Sequence, residues 1–577
     1  MKMNRPFVLI LVLVLLSALT LTPAAAATKP ASVTVQLLAV NDFHGALDAS
    51  LTKPGNTTDE TKWYYRGGAE YLTKFVAAAA ATNPNTVKIS AGDMIGASPL
   101  LSALFHDEPT VMAFNLMGFD YNVTGNHEYD EGWQELLRMQ NGGCHPTDGC
   151  FPGVPEFPGA SFEYLAGNVI RLDTGETLFP AYSVREFGGV KVGFIGIALD
   201  STPTIVVPSG VEGLEFQAEV STINHYVKLL KDTEGLKAIV VILHDGAGPA
   251  PSINSCNTSD PFFANVVMKV DPEVDALITG HSHNAYNCQV QVKKNYAPML
   301  VTSAGSVGRY LTDINLTIAG TNDQVIDKNA TNIPVETPYL TAVADPAMKA
   351  LLDPYRVASA PLANRIVGHI TADITRTQNG AGESALGDVI ADAQLADTTA
   401  ADRGAAVIAM TNPGGIRNEL IFSQSSGGEA PGDVTYGEAF AVQPFSNSLV
   451  TMTLTGDQLK TVLEQQFIGC GQTTDSGQKI LQVSAGFTYS WSASAAPCSK
   501  ISNMQLNGVA IDPAASYRVT INNFLAGGGD NFAGFKAGTD LLTGRIDLDA
   551  FVDYLTAVTA ANGAVTPGPQ DRITVIQ

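Results

Sequence analysis

Side chains of the kind that bind metal ions recur after five apolar segments of the sequence. They lie in the motifs Asn41-Asp42-Phe43-His44-Gly45, Ala91-Gly92-Asp93, Gly125-Asn126-His127-Glu128-Tyr129-Asp130, His244-Asp245-Gly246 and Gly280-His281-Ser282-His283. A mixture of carboxylate, amide and imidazole ligands suits Mn, Zn, Fe or Co better than Ca. The pattern therefore predicts a site for divalent transition-metal ions.

The spacing within these motifs favours one shared site. Residues two apart in an extended segment point the same way, so Asp42 with His44, and His281 with His283, can each close on an ion. A lone His or Asp after a strand is more often an ordinary turn residue. Here, however, the motifs contain five of the chain's nine histidines, and that concentration indicates a common function.

Each motif follows a segment that is predicted to be a buried β-strand. The five segments are 33–40, 87–90, 119–124, 238–243 and 275–279. Helices are predicted between them, at 70–81, 110–117 and 217–231. The region 29–335 is therefore predicted to be an α/β domain. Ligands of α/β sheets bind outside the carboxyl ends of the strands, so we expect the five motifs to lie together.

Residues 1–27 have the pattern of a secretory signal peptide. Two basic residues precede an apolar run from Phe7 to about Leu21, and the alanines that follow predict cleavage near 25–27. An uncleaved membrane anchor is the alternative, but the apolar run is short for a spanning helix. No later segment is long and apolar enough to cross a bilayer, so we expect a secreted or extracytoplasmic protein.

The length and charge of the chain narrow the range of functions. At 577 residues the chain exceeds what a single core can hold, so two or more domains are expected. Its net charge of −23 argues against a nucleic acid polymer as partner. An anionic small-molecule substrate would require a local cationic pocket. The composition does not indicate an oligomeric state.

The six cysteines of an exported chain predict disulfides. Proximity in the sequence suggests the pairs Cys144–Cys150, Cys256–Cys288 and Cys470–Cys498, although six cysteines allow 15 connectivities. Zinc binding is the alternative use of cysteine, but the sequence has no Cys-x-x-Cys spacing.

A change in the sequence pattern at 336–365, from alternating strands and helices to helical spacing, predicts a helical linker between two domains. Segments 339–343 and 347–357 have helical spacing, interrupted by Pro346 and Pro354. A second α/β domain is predicted at 366–577. Its predicted helices are 384–395 and 456–467, and its predicted strands are 405–410, 449–454 and 518–522.

In their order along the chain, the five motifs resemble those of the calcineurin-like metallophosphoesterases. Three later motifs extend the resemblance over the whole mature chain: Asn412-Pro413-Gly414-Gly415-Ile416-Arg417, Gln443-Pro444-Phe445 and Asn522-Asn523-Phe524-Leu525-Ala526-Gly527-Gly528-Gly529-Asp530. Together they look like the secreted or periplasmic 5′-nucleotidase family, which also includes UDP-sugar hydrolases and 2′,3′-cyclic phosphodiesterases. The resemblance implies an α/β fold (an α+β sandwich), with a four-layer αββα domain followed by a C-terminal α/β nucleotide-binding domain.

The resemblance also implies roles at the predicted metal site. One divalent ion would be held by Asp42, His44, Asp93 and His283. The other would be held by Asp93, Asn126, His244 and His281. His127 matches a histidine that stabilises the transition state, and Asp130 matches the carboxylate that orients it. Some family members differ at the position of His283, which leaves the choice among Mn, Zn, Co and Fe open.

The C-terminal domain is implied to bind the nucleotide. Phe445 and Phe524 match side chains that stack on a base, and stacking is worth about 1–3 kcal/mol per base. Asp530 matches an acceptor for ribose hydroxyls, and Asn412 matches a contact to the base or sugar. The rings are expected about a domain's width from the metals, so catalysis would need closure about a connector at 339–360.

Two arginines are candidates for anion binding in the same domain. Arg417 is implied to make a charge-assisted contact to phosphate or to substrate hydroxyls. Arg376 is a further candidate. In the family, the matching arginine lies directly before a helix, whereas here residues 377–383 separate Arg376 from that helix. The expected activity is release of phosphate from nucleoside 5′-monophosphates. Hydrolysis of UDP-sugars or 2′,3′-cyclic nucleotides is the alternative, and a non-catalytic surface binding protein is a third possibility.

Overall fold

A computed structural model describes residues 29–151, 156–425, 427–474 and 476–576. The predicted signal peptide at 1–27 lies outside the described residues and stays a prediction. Among the described residues, no helix combines the length and the apolar character needed to span a membrane.

The N-terminal domain alternates strands with helices, as predicted. Its strands are β1 (Ser32–Val40), β2 (Ser50–Thr52), β3 (Tyr64–Arg66), β4 (Thr86–Ser90), β5 (Tyr121–Val123), β6 (Glu163–Leu165), β7 (Val169–Arg171), β8 (Tyr182–Phe187), β9 (Val190–Ile197), β10 (Leu214–Phe216), β11 (Ala238–Leu243), β12 (Ala276–Thr279), β13 (Ala285–Val290), β14 (Met299–Ala304), β15 (Tyr310–Ala319), β16 (Val325–Pro334) and β17 (Glu336–Pro338). Its helices are α1 (Ala69–Ala80), α2 (Leu100–Ala103), α3 (Glu108–Met117), α4 (Trp133–Asn141), α5 (Glu219–Glu234) and α6 (Pro261–Asn265).

Two six-stranded sheets form the centre of this domain. The first has the order β16-β15-β1-β4-β5-β6, and the second has the order β13-β14-β12-β11-β9-β8. Within each sheet, the strands that precede the five motifs are parallel to one another: β1, β4 and β5 in the first sheet, and β11 and β12 in the second. The five motifs therefore leave two different sheets, a division that the sequence alone did not reveal.

The burial pattern explains why the sheets stack as layers. Alternate residues of a strand point to opposite faces. In β11, Val240 and Ile242 pack between the two sheets, whereas Ile239 and Val241 pack outward against α5 and α6. In the first sheet, Leu38 of β1 faces α1 and α3. Both faces of each sheet are thus covered, which gives the αββα layers that the resemblance implied.

Helix α7 (Pro346–Ala363) connects the two domains. The predicted interruptions are wrong, because Pro346 occupies the first turn and Pro354 lies inside one continuous helix. A proline at the first turn loses no hydrogen bond, and the side chain of Asp345 caps this end. Pro361 also lies inside the helix. The cost of the internal prolines, about 3 kcal/mol each, is opposed by burial of Leu352 and Tyr355 against the N-terminal domain.

The C-terminal domain contains the remaining strands and helices. The strands are β18 (Ile366–His369), β19 (Ile408–Thr411), β20 (Asp433–Thr435), β21 (Ser448–Thr455), β22 (Gln482–Val483), β23 (Phe487–Ser492), β24 (Ile501–Leu506), β25 (Val509–Ala510), β26 (Ser516–Asn522), β27 (Thr539–Ile546) and β28 (Ile573–Ile576). The helices are α8 (Ala385–Thr398), α9 (Tyr436–Val442), α10 (Gly456–Glu464), α11 (Asn523–Ala526) and α12 (Asp547–Asn562).

A five-stranded sheet, in the order β22-β19-β26-β21-β27, organises this domain. One apolar cluster fills the space between that sheet, α10 and β23. A second cluster joins α8, α9 and α12, and it also contains Leu100 from α2 of the N-terminal domain. The two domains are therefore packed against each other through buried apolar side chains.

The disulfides follow the predicted pairs. Cys144 is bonded to Cys150, Cys256 to Cys288, and Cys470 to Cys498. The first pair closes the loop that follows α4.

Candidate active site

The five sequence motifs meet where the ends of the two sheets adjoin. The side chain of Asn41, directly after β1, joins the sheets at this point. Its Oδ1 accepts a hydrogen bond from the Ala304 amide at 2.6 Å, and its Nδ2 donates to the Gly305 carbonyl at 2.6 Å. Because Ala304 ends β14 of the second sheet, these bonds fix the distance between the motifs of the two sheets.

Six side chains named in the sequence analysis surround one location. Asp42, His44, Asp93 and His283 form one group in which the possible ligand atoms lie within 4.8 Å of one another. Asp93, His244 and His281 form a second such group. Asp93 belongs to both, and its Oδ2 lies 3.1 Å from His244 Nε2 and 3.8 Å from His44 Nε2. The two groups of possible ligands therefore adjoin and share one carboxylate.

Within the described part of the chain, two buried atoms at this location, Asp42 Oδ1 and Asn126 Oδ1, lack a hydrogen-bond partner. A buried polar atom without a partner costs about 1–3 kcal/mol, and each of these is an atom that can bind a metal ion. The residues present therefore fit divalent cations.

Hydrogen bonds to the backbone fix the orientation of two imidazoles. Nδ1 of His44 lies 2.9 Å from the Gly96 carbonyl, and Nδ1 of His244 lies 2.8 Å from the Ala91 carbonyl. A carbonyl oxygen only accepts, so in both rings Nδ1 donates. Each Nε2 then points at the shared location, which is the usual arrangement of histidines that bind metals.

The backbone at the motifs is strained in a repeated way. Asp42, His44, Asp93, His281 and His283 all have φ between 49° and 63°. Residues other than glycine rarely adopt this left-handed conformation, which costs about 1–3 kcal/mol each and is found mostly at functional sites.

Burial and charge set the protonation of these groups. Burial lowers the pKa of His44 well below its usual range and lowers the pKa values of His281 and His283 to about 3. Burial opposes ionisation of Asp93, but the nearby imidazoles, above all His244, hold the pKa of Asp93 well below its usual range. Neutral imidazoles beside an ionised carboxylate are the forms that bind a metal ion.

His244 carries a proton that a bound ion would replace. Burial disfavours its charged form, but the Asp93 carboxylate outweighs burial and raises the pKa of His244 to about 10. The proton between the two residues balances the buried negative charge. A divalent cation at Nε2 of His244 would balance the same charge, so binding would release the proton.

His127 and Asp130 form a hydrogen-bonded pair beside the proposed ion sites. Nδ1 of His127 lies 2.8 Å from Asp130 Oδ2, and the His127 amide donates to Asp93 Oδ1 at 2.8 Å. Although burial lowers the pKa of His127, the Asp130 carboxylate outweighs burial and raises it. The pair can therefore present a charged imidazolium to an anion bound next to Asp93.

Glu128 is a positioning residue that the sequence analysis missed. Its carboxylate accepts hydrogen bonds from the backbone amides of Asp93, Met94 and Gly125 and from the Asn122 side chain, at 2.6–3.0 Å. It thereby ties the loop after β4 to the loop after β5. The signal in the sequence was the acidic residue between His127 and Tyr129, within the third motif.

A cavity of about 210 Å³ lies between the two domains and opens onto these residues. The N-terminal domain contributes Asn126, His127, Asp130 and His281, among others. Of the predicted substrate residues, the cavity is lined by Asn412, Arg417, Phe445, Phe524 and Asp530. Arg376 is outside this lining and is exposed, and its guanidinium donates to the Ile416 carbonyl at 3.0 Å. The structure thus brings together all the predicted pocket residues except Arg376.

The acidic residue of the pocket is held by two partners. Asp530 Oδ2 accepts from Asn412 Nδ2 at 2.8 Å, and Asp530 Oδ1 forms an ion pair with Lys479 at 2.5 Å. Lys479 lines the cavity, and the sequence analysis did not single it out. It lies in an irregular segment without a motif, so only its contact with Asp530, 51 residues away, identifies it.

The predicted separation between the aromatic rings and the metal site is wrong for this structure. The ring centroids of Phe445 and His127 are 5.6 Å apart, and Phe524 lines the same cavity. The reason is that the C-terminal domain packs directly over the strand ends of the N-terminal domain. The cavity and the metal-type residues form a single site.

Comparison with known proteins identifies both parts of the chain. Residues 35–285 match the family model of the calcineurin-like phosphoesterases, and residues 366–537 match that of the 5′-nucleotidase C-terminal domain. The fold and the site therefore define a metallophosphoesterase. The exact limits of the domains and of the linker at 336–365 stay predictions.

The chain is 31% identical over 610 residues to a cell wall protein, Lmo0130, of Listeria monocytogenes serovar 1/2a, covering 99% of this chain and 74% of that protein. It is 30% identical over 532 residues to the endonuclease YhcR of Bacillus subtilis, where 91% of this chain spans only 40% of the relative. Among solved structures, a 5′-nucleotidase precursor of Thermus thermophilus has the same fold, with a TM-score of 0.75 at 24% identity, covering 94% of this chain and 99% of that one. The chain belongs to the 5′-nucleotidase family, whose members are phosphoester hydrolases.

Proposed function

We propose that the protein releases phosphate from nucleoside 5′-monophosphates with the help of two divalent ions. The observation that carries the proposal is the joint lining of one cavity by His127, Arg417, Phe445, Phe524 and Asp530. A nucleoside monophosphate has an anionic end and an aromatic end, and this cavity is lined by both cationic groups and aromatic rings.

The proposed ion sites follow the two groups of side chains. Asp42, His44, Asp93 and His283 would hold one ion, and Asp93, Asn126, His244 and His281 would hold the other. When bound, such ions supply a nucleophile at neutral pH and neutralise charge on the phosphoryl group. Mn, Zn, Co or Fe suits this donor set. The unpartnered oxygen atoms of Asp42 and Asn126 support the assignment.

His127 and Arg417 would bind the reacting phosphate. Both are cationic groups that line the cavity, the His127 amide donates to Asp93, and the Asp130 carboxylate orients His127 through Nδ1. Charge that develops on the phosphoryl oxygens during the reaction is stabilised by such fixed donors. Asp130 acts through His127, so it is a positioning residue.

The nucleoside would lie deeper in the C-terminal domain. Phe445 and Phe524 offer aromatic faces to the base, and Asp530 offers an acceptor to the ribose hydroxyls. Asn412 and Lys479 hold Asp530 in place and limit its freedom. We do not assign Arg376 to the substrate, because its guanidinium is bound to the Ile416 carbonyl outside the cavity.

We further propose that the protein acts outside the cytoplasm. Its three disulfides support this location, because disulfides persist in oxidising compartments. The similarity to a cell wall protein supports it as well.

The test is a comparison of substrates with the metal-loaded protein. AMP, UDP-glucose and 2′,3′-cyclic AMP are incubated with added Mn²⁺, and products are quantified. We expect phosphate release from AMP with the highest kcat/KM. A higher kcat/KM for UDP-glucose or for the cyclic nucleotide would assign the alternative activity, and no turnover of any of the three would contradict the proposal.

A further inference from the structure

A second cluster of metal-type side chains lies beside another cavity that Asp130 also lines. It consists of His106, Glu131, Glu135 and His145, and we call it the rim cluster. One possible ligand atom from each of the four lies within 4.8 Å of the others. None of the four belongs to the proposed ion sites at Asp93, and the sequence motifs did not include them as site residues.

Four separate parts of the N-terminal domain contribute to the rim cluster. His106 precedes α3 and has a left-handed backbone, with φ of 50°. Glu131 follows Asp130 directly, and Glu135 is on α4. His145 is in the loop closed by the disulfide Cys144–Cys150. Convergence of side chains from separate elements is what a folded metal site requires.

The two imidazoles of the rim cluster are side by side. The rings of His106 and His145 are nearly parallel, at 11°, with centroids 3.7 Å apart. Nδ1 of His106 lies 2.8 Å from Glu131 Oε2. A zinc ion takes ligand atoms at about 2.0–2.2 Å, so small side-chain rotations would open this contact enough to place an ion between the nitrogen and the oxygen.

Asp148 supplies an outer carboxylate for both histidines. Its Oδ2 lies 2.9 Å from His106 Nε2 and 3.7 Å from His145 Nδ1. If Nδ1 of His106 binds an ion, its Nε2–H still donates to Asp148. Histidines that bind zinc usually donate their other N–H to such a carboxylate. Nδ1 of His145 accepts a hydrogen bond from the Asp148 amide. When Nε2 of His145 binds the ion, Nδ1 can instead carry a proton and donate it to the Asp148 carboxylate.

The charge of the surroundings also favours a cation. Glu131, Glu135 and Asp148 are acidic. Among the described residues, the one cation in contact with them, apart from the histidines, is Arg138, which pairs with Glu135 at 2.6 Å.

We propose that His106, Glu131, Glu135 and His145 bind a divalent transition-metal ion, with zinc the best match, at a site separate from the one around Asp93. Two nitrogen and two oxygen donors suit tetrahedral zinc better than calcium or magnesium. The ion would tie the disulfide loop at 144–150 to α4 and to the residue next to Asp130. This inference does not depend on the proposed enzymatic function.

Metal counting on the full chain tests the site. The protein is stripped with a chelator and dialysed against buffered Zn²⁺, and bound zinc per chain is measured by mass spectrometry of the elements. The variants are the double variant His106→Ala/His145→Ala, the variant Asp93→Ala, the triple combination of these, and His225→Ala as the matched control. His225 is an exposed histidine outside both proposed sites.

The double variant is expected to bind one ion fewer than the wild type, and His225→Ala the same number. Asp93→Ala is expected to keep one ion that the triple variant loses. Both the Asp93→Ala variant and the triple variant lack the site at Asp93. The difference of one ion between them is therefore expected even if the proposed function is wrong. If the double variant binds as much zinc as the wild type, the rim cluster is an ion-pair network only and the proposal is overturned.

A second measurement uses the wild-type chain, so it does not depend on the folding of variants. Diethylpyrocarbonate modifies accessible imidazoles, and the modified histidines are identified by peptide mass spectrometry. Zinc is expected to slow modification of His106 and His145 and to leave the rate at His225 unchanged. Equal rates at His106 and His145 with and without zinc would contradict the proposal.

Discussion

The rings of His127 and Phe445 are nearly parallel, with 14° between their planes and 5.6 Å between their centroids. His127 follows β5 of the N-terminal domain, whereas Phe445 lies between α9 and β21 of the C-terminal domain. The Arg417 guanidinium lies 5.7 Å from the same Phe445 ring. The groups proposed to bind phosphate and base are thus in contact across the domain interface, and substitutions on one side are expected to affect the other.

Replacing Asp93 with Ala should abolish phosphate release. Asp93 is the carboxylate common to both groups of ligands. Replacing even a residue that only supports a metal ligand costs about 10–100-fold in affinity or activity. A loss of more than about 100-fold in kcat is therefore expected, with bound metal reduced and circular dichroism unchanged. Asp173→Ala, which removes an exposed carboxylate, is the control. Full activity of Asp93→Ala would refute the metal assignment.

Replacing Asp130 with Asn should shift the pH profile. The Asp130 carboxylate raises the pKa of His127, so the imidazolium persists to higher pH in the wild type. Without that carboxylate the pKa falls, and activity that needs the imidazolium is lost at lower pH. The alkaline limb of kcat/KM should therefore move to lower pH, with a decrease in kcat of about 10²-fold or more.

The control for this variant is Asp433→Asn, which alters a His–Asp pair with His369 in the C-terminal domain. Its profile should match the wild type. An Asp130→Asn profile with the alkaline limb unmoved would show that His127 does not act as the charged form.

Replacing Phe524 with Ala should mainly raise KM for nucleotides. Loss of one stacking face is worth about 1–3 kcal/mol, or about 5- to 150-fold. Turnover of p-nitrophenyl phosphate, which lacks a nucleobase, should change little. Phe445→Ala should behave differently and also lower kcat, because Phe445 contacts His127. An unchanged KM for AMP in Phe524→Ala would argue against stacking.

Replacing Asp530 with Asn should reduce the preference for ribose hydroxyls. The carboxylate accepts hydrogen bonds only, and a substrate hydroxyl bound to a charged acceptor is worth about 1.5–3 kcal/mol. In the wild type, kcat/KM should be higher for AMP than for 2′,3′-dideoxy-AMP. In the variant, the ratio of these two values should fall close to one. An equal ratio in both proteins would exclude Asp530 as the ribose acceptor.

Replacing Glu128 with Gln should destabilise the protein and weaken metal binding. The carboxylate accepts from Asp93, Met94, Gly125 and Asn122, and an amide nitrogen cannot accept. Each buried N–H left unpaired costs about 1–3 kcal/mol. Chemical denaturation should show this loss, whereas Glu163→Gln at an exposed position should not. Equal stability of both variants would mean that Glu128 does not hold the two loops.

The sequence alone determined the general fold and indicated which side chains could bind metal ions. The motifs at Asp42, Asp93, Asn126, His244 and His281 each follow a strand whose apolar pattern is local, so position and residue type can be recognised without a structure. The helices from 69 to 80 and from 385 to 398 were predicted within a few residues for the same reason. The pairing of the six cysteines also followed from proximity in the chain.

Only the tertiary structure decided how these parts meet. It divided the five motifs between two sheets, kept α7 continuous through Pro354, and put Phe445 against His127. It also identified Glu128, Lys479 and the cluster of His106 with His145, and it separated Arg376 from the cavity. Each of these depends on contacts between residues that the packing of domains and layers brings together. Local patterns of polarity and turn residues carry no information about such contacts.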